Sequence, residues 1–592
     1  MSPCEPLPTS AAASKQQASS PGSESESDSS SHFPGIDHIQ SLLTKYDITT
    51  NGFLPEGPPL EVLPDEYYAP WENLIRRLPA LLDVGAFRAE VDDRLAVLEA
   101  DRLGTWKEEE WRRAYVVLCF FAHGYIWGGA RPSEVLPPQI AVPLVAVSSH
   151  LDLPPIATYA SLNLWNFRCV PESSPSTTSC SLSTDLSLPP SPPLTPAFSS
   201  TSQPTTNKFK FDPTNLSNLR TLHTFTNTPS ESWFYLVSVA MEAQGAYIIP
   251  TMLYALQAIG LGSSDPDWKD TTTKALRELV KCVEAVGELL ERMYEGCEPM
   301  VFYHQIRPFL AGSKGMGGVG LPRGVFYDLG AAMGEGHVGE EEVQGQRRKG
   351  KWMAYRGGSN GQSSLIQFWD LVLGVEHVSA GNSSPHSSSS TSSSSTTAEK
   401  GEQQNMKPFH EEVREYMPLK HRQFLALVSK MGLGKGGIRK AVMEMVETAT
   451  DHEGRDLNQK EVELQKAFQD ATRALANFRN KHLQIVARYI VIPSRQAVPE
   501  EYKKKWKSGS GSGDEETGGK DGEEVVNLAS VSSGLQQGHG REGGKEDEEK
   551  KDGGHVHGPG PGPELMGTGG TALLPFLKQT RDETLKAGEV GR

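Results

Sequence analysis

His482 is set apart by its surroundings. Leu464, Phe468, Ala471, Leu475 and Phe478 step by four and three, and the rhythm continues through His482, Ile485 and Tyr489. The spacing predicts one long helix over 461–492, ended by Pro493, with an imidazole on its apolar stripe. A buried polar ring needs a partner, because leaving one unpaired costs ~1–3 kcal/mol. Two chemistries supply one. A core histidine bonds to a carbonyl; a neutral imidazole backed by a hydrogen-bond acceptor ligates haem iron. Arg479, three residues earlier on nearly the same face, is either a surface arginine or a partner for a haem propionate.

Arg307 stands in MVFYHQIRPFLAG (300–312), among Phe302, Ile306 and Phe309. An arginine there pairs with a buried acid or receives an anionic ligand. Pro308 should kink or start a helix at that point. In SWFYLVSVAMEA (232–243), Phe234 and Ser238 lie four apart and share a helical face, as core packing or as pocket wall.

Two patterns mimic known sites. Gly315-Met316-Gly317-Gly318-Val319-Gly320 matches GxGxxG, but it follows no convincing strand and opens no helix, so a dinucleotide site is rejected. Gly357-Gly358-Ser359-Asn360-Gly361 matches the GxSxG of serine hydrolases. That motif needs a strand before it within a parallel sheet, and WMAYR (352–356) is a poor strand.

The elements that must position these residues read as helical. In 271–294, Leu276, Leu279, Val283, Val286, Leu290 and Met293 form an amphipathic stripe, and SLIQFWDLVLG (364–374) runs from serine to glycine, a start and a stop signal. Period-two alternation is scarce. The expected class is all-α in two unequal parts.

Of the 592 residues, the stretches 1–32, 171–206, 379–405 and 505–563 are rich in Ser/Pro or Gly/Lys/Glu and are expected to be disordered, the last three as insertions. Net charge is −16, with no basic stripe, which argues against nucleic acid as a partner. Six cysteines (Cys4, Cys119, Cys169, Cys180, Cys282, Cys297) show no CxxC pair, so neither a disulfide framework nor structural zinc is indicated. With no secretory signal and no membrane-length apolar run, a soluble, cytoplasmic protein is expected.

Six segments carry a resemblance. RNKHLQIVARYIVIPSRQ (479–496) is similar to the haem-ligand helix of the indoleamine 2,3-dioxygenases. LPPIATYA (153–160), FYHQIRPFLAG (302–312), GGSNGQSS (357–364), EYMPLKHRQFL (415–425) and GTGGTALLPFLKQTR (567–581) resemble further segments of that family in the same order.

The resemblance implies a smaller N-terminal domain over 33–225 and a larger helical domain over 226–592, with one haem b per chain held between them and His482 as proximal ligand. Arg307 would grip the carboxylate of L-tryptophan. Phe302, Phe234, Ser238 and Tyr159 would line the substrate pocket. Ser359 would lie near a propionate and the substrate ammonium, and Thr568 in a loop closing the site. The implied reaction inserts both atoms of dioxygen across the indole C2–C3 bond, giving N-formylkynurenine on the kynurenine route toward NAD. An external reductant would bring the iron to the ferrous state. A monomer without membrane or nucleic-acid partners is implied. No carboxylate or distal histidine is expected beside the iron, so orientation is expected to dominate catalysis.

Asn360, Leu162 and Asn163 depart from the family pattern and point to altered indole preference or weaker turnover. The rival readings are therefore a haem-binding relative acting as a sensor or indole binder and, more remotely, a serine hydrolase using Ser359.

Overall fold

A computed structural model describes residues 36–170, 211–330, 339–377, 409–434, 436–451, 456–505, 567 and 573–590. Apart from Lys505, the four stretches expected to be disordered lie outside these residues, as does Thr568.

Thirteen principal helices make the described chain all-α in essence. They are α1 (Ile36–Lys45), α2 (Ala69–Asp83), α3 (Phe87–Arg94), α4 (Glu108–Trp127), α5 (Pro138–Leu151), α6 (Pro229–Gln244), α7 (Ile248–Leu261), α8 (Trp268–Glu291), α9 (Ser364–Val372), α10 (Leu419–Gly432), α11 (Ile438–Asp451), α12 (Gln459–Val486) and α13 (Leu573–Ala587). In the N-terminal half α4 is the hub: Ala114 through Ala122 are all fully buried, as expected of a helix apolar on every side. It packs on α2 and α5. In the C-terminal half α12 lies along α8 and α13, and α8 also packs on α6 and α7. One buried cluster runs through both halves, from Ile39 to Val590.

The local signals for these helices are explicit. The Asn458 side chain accepts from Glu461 N–H at 3.1 Å while the Glu461 carboxylate accepts from Asn458 N–H at 3.0 Å, a capping box that starts α12. Thr228 caps α6, with Pro229 in its first turn. Ser363 caps α9, and Gly374, at φ +64°, follows it. The six stripe residues of 271–294 are all buried in and just beyond α8.

Two small sheets of short strands accompany the helices. Strands β1 (Val135–Leu136), β4 (Val325–Asp328), β5 (Glu340–Val343) and β6 (Gln346–Met353) form a sheet in the order β1-β4-β6-β5. Only β1–β4 is parallel. Strands β2 (Phe167–Cys169) and β3 (Leu219–Thr221) form an antiparallel pair. The β5–β6 hairpin turns at Gln344 and Gly345, both at positive φ, and sets Glu340, Glu341 and Glu342 opposite Lys349, Arg348 and Arg347. Opposite charges specify this pairing, so hydrophobic alternation does not reveal it.

Among the described residues no single helix is long and apolar enough to cross a membrane; the bent pair α6–α7 has the combined length and composition, but much of both helices is buried in the core.

Candidate active site

Three wide, π-type turns interrupt the helical backbone, at Ala160–Leu164, Phe302–Ile306 and Ala487–Val491. Such turns are rare and gather at functional sites; here all three border one cavity. Tyr159 precedes the first, Phe302 and Arg307 bracket the second, and His482 lies one turn before the third. The third turn also corrects the predicted helix end. The helical path passes through Ala487–Val491 and Ile492–Ser494, so Pro493 sits inside the final turn.

The cavity leaves about 230 Å³ for the centres of water-sized molecules. Eight of the nine residues singled out from the sequence line it: Tyr159, Phe234, Ser238, Phe302, Arg307, Ser359, Arg479 and His482. The ninth, Thr568, lies outside the described residues, although its neighbour Gly567 reaches the wall. The departures Leu162, Asn163 and Asn360 line the cavity as well.

His482 is half-buried, and its ring forms no hydrogen bond to a described residue. This removes the carbonyl-bonded core histidine as an explanation, and it also means that no second-shell acceptor backs the ring among the described residues. Burial, together with the charge of Arg479, pushes the imidazole down to about 4, leaving it neutral near pH 7 with a nitrogen lone pair available to a metal.

Arg479 is buried and committed elsewhere. Its Nη2 donates to both carboxylate oxygens of Asp370, at 2.6 and 2.7 Å, and its Nη1 contacts the Thr584 hydroxyl. The guanidinium is therefore not that of a surface arginine; it lines the cavity with its described bonds directed to Asp370 and Thr584. Burial alone would raise the Asp370 carboxyl, but Arg479 and His377 hold it well below the usual carboxylate range. His377 lies 3.2 Å from Asp370 and 2.7 Å from Glu583 of α13, and its ring stacks on His410 at 4.0 Å.

Arg307 has no exposed surface. It follows the wide turn and opens a tight one, Arg307–Leu310, the change of path predicted at Pro308. Burial lowers its guanidinium to about 10, still cationic at neutral pH. The Phe302 ring packs on Phe234 at 5.0 Å and edge-on to Tyr489 at 5.8 Å, forming an aromatic wall.

Sequence reasoning missed Glu242. It lines the cavity, is 1% exposed, and accepts from Tyr159 Oη at 3.1 Å and Ser363 Oγ at 2.6 Å, both at Oε1. Its Oε2 has no hydrogen-bond partner among the described residues. Burial pushes this carboxyl up to about 7. The signal was available: Glu242 is the next member of the four-residue stripe that carries Phe234 and Ser238. His410 also reaches the wall. The cavity wall thus carries a carboxylate and a second histidine that the sequence reading did not single out.

Ser359 does not sit on a nucleophile elbow. The strand before it, β6, pairs antiparallel with both neighbours, and Ser359 Oγ accepts from Gly361 N–H at 3.2 Å. A Cβ on Gly357 would come within 2.0 Å of Leu310 O, so this glycine permits close backbone approach along the wall. The GxGxxG segment forms a tight turn at Gly317–Val319 leading into β4, with no helix after it, in keeping with its rejection.

The helices thus converge on one cavity lined by a histidine without a hydrogen-bond partner among the described residues, buried arginines and an aromatic wall, a binding site for a flat ligand and an anionic group. A family model described as "IDO: Indoleamine 2,3-dioxygenase" matches residues 42–587. The chain is 34% identical over 487 residues to an indoleamine 2,3-dioxygenase of Penicillium citrinum, covering 81% of this chain and 86% of that one. It is 32% identical over 550 residues to the indoleamine 2,3-dioxygenase of Saccharomyces cerevisiae, covering 93% and 94%. It is 31% identical over 460 residues to a 6-hydroxytryptophan 2,3-dioxygenase of Fusarium equiseti, covering 78% and 87%. The chain belongs to the indoleamine 2,3-dioxygenase family and is a dioxygenase, of a family that depends on haem and acts on tryptophan or related indoles.

Proposed function

We propose that this chain binds one haem b through His482 and converts L-tryptophan to N-formylkynurenine, the opening step of the kynurenine route toward NAD, as a cytoplasmic monomer. The haem would lie between a smaller N-terminal domain, 33–225, and a larger helical one, 226–592. The observation that carries this reading is the ring of His482, neutral and without a hydrogen-bond partner among the described residues in the wall of the cavity. The donor set fits a haem: one free imidazole, an apolar lining that includes Phe478, Ile485, Val486 and Leu573, and a glycine-bearing wall at Gly358 and Gly361.

Haem, when bound, supplies the iron at which dioxygen reacts with the indole. The rest falls to the chain. His482 holds the cofactor through a neutral nitrogen. Arg307 pairs with the substrate carboxylate, a charge-assisted contact strengthened by its burial. Phe234, Phe302 and Tyr159 confine the flat ring so that its C2–C3 bond is presented in one orientation. Ser238 lies on the same face as Phe234, beside the indole. Ser359 and the loop of Thr568 would engage the substrate ammonium and close the site. Glu242 accepts from the Tyr159 and Ser363 hydroxyls and fixes both on the wall. An external reductant is needed to prepare the ferrous state.

A haem-binding relative with weak turnover is the second reading, favoured by the amides of Asn163 and Asn360 in the cavity wall. Purified, haem-loaded protein given L-tryptophan, ascorbate and methylene blue separates the two. The proposal expects N-formylkynurenine to accumulate; its absence from reduced, haem-replete protein overturns it.

A further inference from the structure

Asn163 lies within the first wide turn, Ala160–Leu164, and is 4% exposed. Its Nδ2 donates to the Tyr159 carbonyl at 3.3 Å. That contact fixes the amide orientation, because a carbonyl accepts only from the NH2 side. The Oδ1 is left without a hydrogen-bond partner among the described residues. Asn163, Leu162 and Tyr159 all line the cavity, and α6, carrying Phe234 and Ser238, packs against this turn. A buried acceptor with no donor is unfavourable in the empty pocket. It becomes favourable when a ligand brings the missing donor, and a pocket built this way discriminates against ligands that lack one.

We infer that Asn163 is a specificity-determining residue, whose Oδ1 accepts a hydrogen bond from a donor on the aromatic bicycle of the substrate. The inference rests on the dioxygenase reading for its substrate class and adds to it the polar group that the bicycle must carry. Two groups supply that chemistry: the indole N–H of tryptophan itself, or a hydroxyl on a ring-hydroxylated tryptophan, the substrate for which the Fusarium equiseti relative is named. Leu162, Val237 and Met241 also line the cavity, and the other acceptor of this wall without a partner among the described residues, Glu242 Oε2, is left in place when Asn163 is substituted.

The test uses full-length, haem-loaded protein as wild type, Asn163→Leu, which keeps the shape, and Asn163→Ala. Each is titrated in the ferric state with L-tryptophan, its benzothiophene analogue lacking the N–H, and 6-hydroxy-L-tryptophan, read by perturbation of the Soret band. Wild type should prefer the ligand with the relevant donor by about tenfold, and both variants should bring that ratio to within about twofold. Collapse of the tryptophan-to-benzothiophene ratio identifies the N–H as donor. Collapse of the hydroxytryptophan-to-tryptophan ratio identifies the hydroxyl. If both ratios are the same in all three proteins, the inference is wrong. Loss of haem from both variants also overturns it, because Asn163 would then serve the scaffold. Wild type that binds these amino acids in the ferric state but, once reduced and supplied with dioxygen, forms no ring-opened product removes the dioxygenase reading and leaves the ratios decisive. Wild type that binds none of them removes both.

Discussion

Arg479 donates to both oxygens of Asp370, at 2.6 and 2.7 Å, one helical turn before His482. The pair joins α12 to α9, and Thr584 on the Arg479 side with His377–Glu583 on the Asp370 side draws in α13. Three elements that build the cavity wall are thus tied at one buried ion pair. Removing one partner of such a pair strands the other charge, at a cost of roughly 3–5 kcal/mol. Asp370→Ala is expected to lower the urea midpoint accordingly and to weaken haem retention. Wild-type stability in that variant would show that the pair is not holding these helices.

Arg307→Ala is expected to raise the Michaelis constant for L-tryptophan by roughly tenfold or more, the scale of a lost hydrogen bond to a charged group, with haem content kept. Steady-state kinetics beside a haem assay checks this. An unchanged constant would make Arg307 a purely structural residue.

Glu242 gives a pH signature with a definite sign. Its carboxyl, ordinarily near 4.5, is pushed up to about 7 by burial. A group with a raised folded value stabilises the fold fully below the unfolded value, and that contribution disappears as pH rises through the folded one. Between about 4.5 and about 7 the wild type should therefore lose stability relative to Glu242→Gln, by roughly 3 kcal/mol across the window. Melting temperatures of the two proteins along a pH series test this. Parallel curves would mean that Glu242 titrates normally.

Ser359 should not react with a fluorophosphonate probe. Its hydroxyl accepts from Gly361 N–H, and the preceding strand lies in antiparallel pairings. Stoichiometric labelling that Ser359→Ala abolishes would revive the hydrolase reading.

The helices were legible because burial leaves a period in the chain. The stripe through Leu464, Phe468, Ala471, Leu475 and Phe478 marks α12, and all five residues are buried. The site was legible for the same reason, since His482 interrupts that stripe and Arg307 interrupts an aromatic one. Four features were not. The β5–β6 hairpin is specified by facing charges, which resemble an ordinary solvated segment. The wide turns that aim Tyr159, Phe302 and Arg307 each shift the chain by one residue, which a fixed helical period cannot register. The partner of Arg479, Asp370, lies 109 residues away, beyond the reach of any local pattern, and Glu242 was passed over as one acid among apolar neighbours.

The central claim is that His482 is the protein ligand of a haem. Its most direct test is the absorption spectrum of wild type and His482→Ala expressed side by side with added hemin, oxidised, reduced with dithionite, and reduced under carbon monoxide. The account predicts a stoichiometric Soret band for wild type that shifts on reduction and again with carbon monoxide, and no stable haem in the variant. A colourless wild type, or a variant with the wild-type spectrum, would contradict it.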